Sequence, residues 1–146
     1  DVWEMSNTTG PYSRFQLKQY IEQTQNDLFA DRQLRLMIEN GNRQVVGIVD
    51  LCSFDPLHNR AEVGIMVDKS CRRQGIGRNA LALLEEHCFR YLGIHQLFAY
   101  IAVENLPSRR LFAACGYKES AVLKEWAHTF GGGYTDVLVV QKLNLS

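Results

Sequence analysis

Arg60-Ala61-Glu62-Val63-Gly64-Ile65-Met66-Val67, a break of four residues, and then Arg72-Arg73-Gln74-Gly75-Ile76-Gly77 form the stretch that decides the fold. The first part, with its valines and isoleucine, reads as a strand. Gly75 and Gly77 then stand between that strand and a helix predicted over residues 77–92. The first N–H groups of a helix lack helical partners, and its dipole favours negative charge there. Glycines let the backbone approach a phosphate with no Cβ in the way, and Arg72, Arg73 and Arg78 add positive charge. Such a turn suits a pyrophosphate; the plainer alternative is that the glycines only shape the turn and the arginines are solvated.

Working back from this stretch, Leu34, Leu36 and Ile38 alternate with Arg35 and Met37, predicting a strand over 33–39. Asn40-Gly41 is a hairpin signal, and 44–54 is the return strand. Asp55-Pro56 ends it, His58 and Asn59 continue the turn, and 60–67 follows, so the three strands form an antiparallel meander. Further back, Phe15, Leu17, Tyr20 and Ile21 lie near helical spacing after Gly10-Pro11, with Ser13 as a cap, predicting a helix over 13–25.

Working forward, Leu81, Leu84, Cys88 and Tyr91 line one face of the 77–92 helix, which is expected in the core, and Gly93 stands at its C-terminal cap. A strand is predicted over 96–103 and a short helix over 106–115, with Pro107 in its first turn and Gly116 past its end. Two strands, 121–130 and 134–142, flank Gly131-Gly132-Gly133 as a final hairpin. The expected class is α+β, a mixed central sheet flanked by helices.

A chain of 146 residues has the size of one domain, here 1–146. Its sixteen basic and sixteen acidic residues cancel, so no net field gathers nucleic acid or an anionic membrane surface, and an anionic ligand must be bound locally. No apolar run approaches the length of a membrane span. Cys52, Cys71, Cys88 and Cys115 form no CxxC pair, His58, His87, His95 and His128 have no ligand spacing, and no metal is implied. With no signal segment at Asp1 to Asn7, the cytoplasm is the expected location.

Gly75-Ile76-Gly77-Arg78-Asn79-Ala80 also satisfies the dinucleotide pattern GxGxxA, with Glu104 roughly where a ribose-binding acid is sought. The context argues against a nicotinamide enzyme. Residues 68–74 separate strand from turn, the preceding strands are antiparallel, and too little chain follows Glu104 for a second mononucleotide half.

Ala61-Glu62-Val63-Gly64-Ile65-Met66-Val67, Arg72-Arg73-Gln74-Gly75-Ile76-Gly77, Asn105 with Ser108, Cys115-Gly116-Tyr117 and Gly133-Tyr134-Thr135-Asp136 together resemble the GNAT superfamily of N-acetyltransferases. The likeness is to its RimJ/RimL and polyamine acetyltransferase branch and runs from about Trp3. Arg72, Gly75 and Gly77 occupy the fixed positions of the family pattern Q/R-x-x-G-x-G/A. The resemblance implies acetyl-CoA as cosubstrate. It implies that Ile65, Met66 and Val67 pair by backbone with the pantetheine arm, that Arg72, Arg73, Gln74, Gly75, Ile76, Gly77 and Arg78 hold the pyrophosphate, and that Asn105 and Ser108 contact the cofactor. It further implies two parallel strands that splay. For Asn105 the structural alternative is a helix cap.

The resemblance implies a protein, peptide or small polyamine-like amine as acceptor; such an amine is mostly protonated at pH 7, so a base is required before nitrogen attacks the thioester. Glu62, on one strand face with Gly64 and Met66, is the candidate, acting through water; the alternative is an ion pair with Arg60. A backbone N–H near Met66 or Val67 is expected to meet the oxyanion. The family's N-x-x-A-x-x-L-Y tyrosine acid is here Phe112, which donates no proton, so solvent, Ser108, Tyr134 or no side chain serves the leaving thiolate. Cys115 is expected to be a small packed residue. A domain that only senses acetyl-CoA is the competing function. Because the family's usual first strand and helix are not evident ahead of Trp3, the edge beside 33–39 or 44–54 is expected to be covered by a second copy, a homodimer, or left weakened in a shortened chain.

Overall fold

The computed structural model describes residues 2–6, 16–20, 32–71 and 75–145. Among them, eight strands form one sheet in the spatial order β1-β2-β3-β4-β5-β6-β8-β7. These are β1 (Val2–Ser6), β2 (Gln16–Tyr20), β3 (Leu34–Glu39), β4 (Val45–Asp55), β5 (Arg60–Val67), β6 (Gln96–Ala102), β7 (Lys118–His128) and β8 (Tyr134–Leu143). Two α-helices, α1 (Ile76–Glu86) and α2 (Leu106–Ala114), accompany them, with a π-helical turn at His87–Tyr91.

The meander forms as its alternation predicts, β3 against β4 and β4 against β5, both antiparallel. Its first turn is built by Asn40, whose Oδ1 accepts the N–H groups of Asn42 at 2.9 Å and Gln44 at 3.0 Å. β5 and β6 are parallel, which requires a crossover, and α1 supplies it. Leu36, Ile38, Val49, Leu51, Ala61 and Val63 of the meander share one core with Ile76, Ala80, Leu81, Leu84 and Cys88. That core fixes β5 against α1 and so fixes the turn between them. Leu84 is fully buried; Leu84→Ala is expected to lower the unfolding free energy in a urea titration by about 2–5 kcal/mol.

Three expectations are corrected. Gln16–Tyr20 lies inside the predicted 13–25 helix but is a strand, paired antiparallel with β1 and with β3 through Gln16↔Glu39, Leu17↔Ile38 and Lys18↔Met37. Pairing on both sides decides a segment whose short apolar run fits either period. The rest of that span lies outside the described residues. For the same reason the edge expected beside 33–39 is not an edge, since β2 and β1 lie beyond β3; nor is 44–54, as β4 lies between β3 and β5. Finally, Tyr91 was expected on the core face with Cys88, yet it is 69% exposed while Cys88 is fully buried. The N–H of Leu92 bonds to the carbonyl of His87, five residues back, and this wider turn rotates Tyr91 off the apolar stripe. Gly93, at φ 65, ends the helix as predicted.

Candidate functional site

β5 and β6 pair only through Arg60↔Gln96, Ala61↔Leu97 and Glu62↔Phe98. Beyond that point β5 continues to Val67 along β4, while β6 continues to Ala102 along β8. Two parallel strands therefore part over Val63–Val67 and Ala99–Ala102, and the facing edges are open to an extended ligand that adds backbone hydrogen bonds. This is the splay that the resemblance implies, and Ile65, Met66 and Val67 line one side of it. Met66 is 69% exposed.

The far end of β5 leads to the start of α1. Gly75 precedes the helix with φ 75, a left-handed value that favours glycine. Among the described residues a Cβ added there would meet nothing within 4 Å, so the demand for glycine is conformational. Among the described residues no side chain caps the helix, and its first turn holds no acidic residue, an arrangement suited to an external anion. Gly77 differs. A Cβ there would lie 3.1 Å from a methyl of Leu111, so its glycine lets α1 approach α2 closely. Ile76 is buried and Arg78 exposed. A cavity of about 480 Å³ lined by Gly75, Arg78 and Asn79 opens beside this turn and extends toward Glu85 and Lys142, without reaching Glu62. Arg72, Arg73 and Gln74 lie outside the described residues.

Asn105 caps α2: its side-chain oxygen accepts the N–H of Ser108 at 3.3 Å. The structural alternative for Asn105 is thus realised, and its amide NH₂ remains a donor for a ligand at the mouth of the splay. Ser108 is half-buried.

Glu62 stands at the last β5–β6 pair, where the strands begin to part. It is half-buried and alternates with buried Ala61 and Val63, so it projects from the sheet face opposite the core. The ion pair with Arg60 does not form, because Arg60 reaches Asp55 at 3.7 Å. Glu62 instead meets Ser53, whose hydroxyl lies 3.5 Å from Oε1. Phe112 is buried edge-on against Tyr117, with ring centroids 4.9 Å apart, a packing role with no proton to give. Tyr134 is 63% exposed and lies edge-on to His128. Burial, then the Glu85 charge, raises the thiol pKa of Cys115 above its ordinary value, which leaves it a poor nucleophile.

Two residues carry roles that sequence reading missed. A Cβ on Gly47 would lie 2.6 Å from the carbonyl oxygen of Met66, so Gly47 lets β4 hold the splayed part of β5 in place. Asp136 closes the Gly133-Tyr134-Thr135-Asp136 motif. Its carboxylate accepts the N–H of Glu125 at 2.8 Å and the ammonium of Lys124 at 3.1 Å. These partners, the Glu125 N–H foremost, hold its carboxyl below the ordinary range. The Asp136 carbonyl accepts the N–H of Val103 at 3.0 Å. One residue thereby ties a bulge in β7 to the exit of β6 that leads to Asn105. The motif itself was the available signal; the bulge was not visible without the pairing.

A family model described as the acetyltransferase (GNAT) domain matches residues 1–118. The chain is 27% identical over 128 residues to a spermidine N(1)-acetyltransferase of Vibrio cholerae, covering 87% of this chain and 72% of that protein. It is 35% identical over 96 residues to an N-acetyltransferase 9-like protein of Nematostella vectensis, covering 60% and 48%. Among solved structures, a variant of the spermidine N-acetyltransferase SpeG from Vibrio cholerae superposes with a TM-score of 0.73 at 26% identity, over 77% of this chain and 64% of that one. A dodecameric form of the Vibrio cholerae enzyme gives 0.74 at 25% identity, over 80% and 68%. Among the described residues no helix is long and apolar enough to cross a membrane.

Proposed function

The chain belongs to the GNAT acetyltransferase family, and we propose that it passes the acetyl group of acetyl-CoA, the cosubstrate of that family, to a primary amine of a polyamine-like small molecule. The observation that carries this reading is the parting of β5 from β6 immediately beside a glycine-started helix. The residues described fit acetyl-CoA: a strand edge for an extended amide-bearing arm, helix-start N–H groups for a pyrophosphate, and a left-handed glycine at that start. Ile65, Met66 and Val67 would hold the arm, Arg72 to Arg78 the pyrophosphate, and Asn105 and Ser108 the far side.

Acetyl-CoA supplies an activated thioester; the chain supplies position and proton transfer. An amine with a lysine-like pKa of about 10.4 is almost wholly protonated at pH 7. Glu62, at the vertex where the strands part, takes that proton through water and frees the nitrogen lone pair. A backbone N–H at Met66 or Val67 meets the developing oxyanion, a donor fixed in place by the β4 pairing. With Phe112 at the usual tyrosine position, the thiolate leaves without help from that residue.

The polyamine class is supported by the spermidine acetyltransferase relatives. Residues 1–146 form a single catalytic domain in this proposal, in the cytoplasm, where its four free cysteines are at home. Self-association is also part of it, since the Vibrio cholerae relative is dodecameric in one solved state. The test is a screen of thiol release from acetyl-CoA with spermidine, peptide amino termini and amino sugars. Spermidine is expected to give the fastest release. Release with peptides alone would move the acceptor to proteins, and release with none would favour a sensing domain.

A further inference from the structure

Cys52 lies directly opposite Glu62 in the antiparallel β4–β5 pair. Directly opposed residues project from the same face with Cβ atoms about 4.5–5.5 Å apart. The regular register breaks immediately after Cys52, and Ser53 follows with φ 51, a left-handed backbone that a serine adopts only at a cost. This break turns the strand so that Ser53, the next residue, also reaches Glu62, its hydroxyl 3.5 Å from Oε1. Without it, Ser53 would point to the opposite face from Cys52.

We propose that Cys52 and Ser53 are positioning residues that hold the Glu62 carboxylate as two neutral donors, leaving its other lone pairs toward the parted strands. The inference rests on the reading of Glu62 as the reaction's base and names what orients it. A carboxylate at the vertex of the splay would otherwise be free to swing toward Arg60, and Arg60 is instead held by Asp55. Among the described residues the other groups facing Glu62 are few. On β4, Asp50 lies two residues from Cys52 and is bound by the Arg35 guanidinium at 2.8 and 3.0 Å. On β6, Phe98 opposes Glu62, with Tyr100 edge-on to it. Burial, and then the Glu62 charge, push the Cys52 thiol up to about 11, so it keeps its proton and stays a donor throughout the working range.

Two measurements test this. Alkylation of Cys52 by iodoacetamide at pH 8.5, followed by peptide mass mapping, reads the coupling without any activity. Glu62→Gln is expected to speed it roughly threefold or more, because the thiolate is no longer opposed by a carboxylate. In the second, kcat at pH 7 and the KM for acetyl-CoA are compared across variants. Cys52→Ala is expected to lower kcat roughly threefold or more with KM nearly unchanged, and Cys52→Ser, which keeps a donor, to restore it. Ser53→Ala should lower kcat by less. An unchanged Cys52 alkylation rate in Glu62→Gln overturns the inference, as does a kcat that stays put in Cys52→Ala or is not restored by Cys52→Ser. A Glu62→Gln protein with full turnover would instead overturn Glu62 as the base, while the alkylation result still reports the coupling.

Discussion

Glu62→Gln is expected to lower turnover roughly 10- to 1000-fold at pH 7 while leaving acetyl-CoA affinity nearly unchanged, the range for one acid-base group. The split follows from place. Glu62 sits at the closed end of the splay, on the face away from the core, whereas the surfaces proposed for acetyl-CoA lie along Ile65–Val67 and at the start of α1. Glutamine keeps the shape and accepts hydrogen bonds but takes no proton. The sign with pH is fixed by the acceptor: as pH rises toward its pKa of about 10.4, more amine arrives already neutral and the variant recovers part of its loss. Steady-state rates at pH 7 and pH 9.5 with coenzyme binding by calorimetry decide it. Full activity at pH 7 would remove Glu62 from the chemistry.

Gly77→Trp is expected to weaken acetyl-CoA binding by well over tenfold, a loss of more than about 1.4 kcal/mol. A Cβ at this position already stands 3.1 Å from Leu111, so an indole forces α1 and α2 apart, and with them the N–H groups at the head of α1 and the Asn105 cap at the head of α2. The same variant should melt at a lower temperature. Adding Leu111→Ala makes room and is expected to return stability without returning affinity, since the bulky side chain still crowds the first turn. Unchanged coenzyme affinity in Gly77→Trp would contradict the placement of the pyrophosphate.

What could be read from sequence was whatever short-range pattern decides. The alternation of Leu34, Leu36 and Ile38, the Asn40-Gly41 turn, and the glycines before α1 act within a few residues, and each element appeared where expected. The anion-binding reading of the Gly75–Gly77 turn came from its residue types, and the parting of the strands came with the family resemblance, where the sheet bears it out. Other features depend on partners distant in the chain. Gln16–Tyr20 is a strand because β1 and β3 flank it, and β8 enters between β6 and β7 for reasons that no local window contains. Cys52 faces Glu62 only because the register places it there, Gly47 matters only because β4 passes close to Met66, and Tyr91 left the core through one widened turn. Sequence spacing carries period but not register, and this site is assembled from register.

The most direct test of the central claim is mass spectrometry of spermidine incubated with the protein and acetyl-CoA, with coenzyme thiol measured in the same sample. Acetylated spermidine is expected to accumulate in one-to-one proportion to thiol, at a rate that Glu62→Gln reduces. Tight acetyl-CoA binding with neither acetylated amine nor thiol above the protein-free control, for spermidine and for every other amine in the screen, would contradict it.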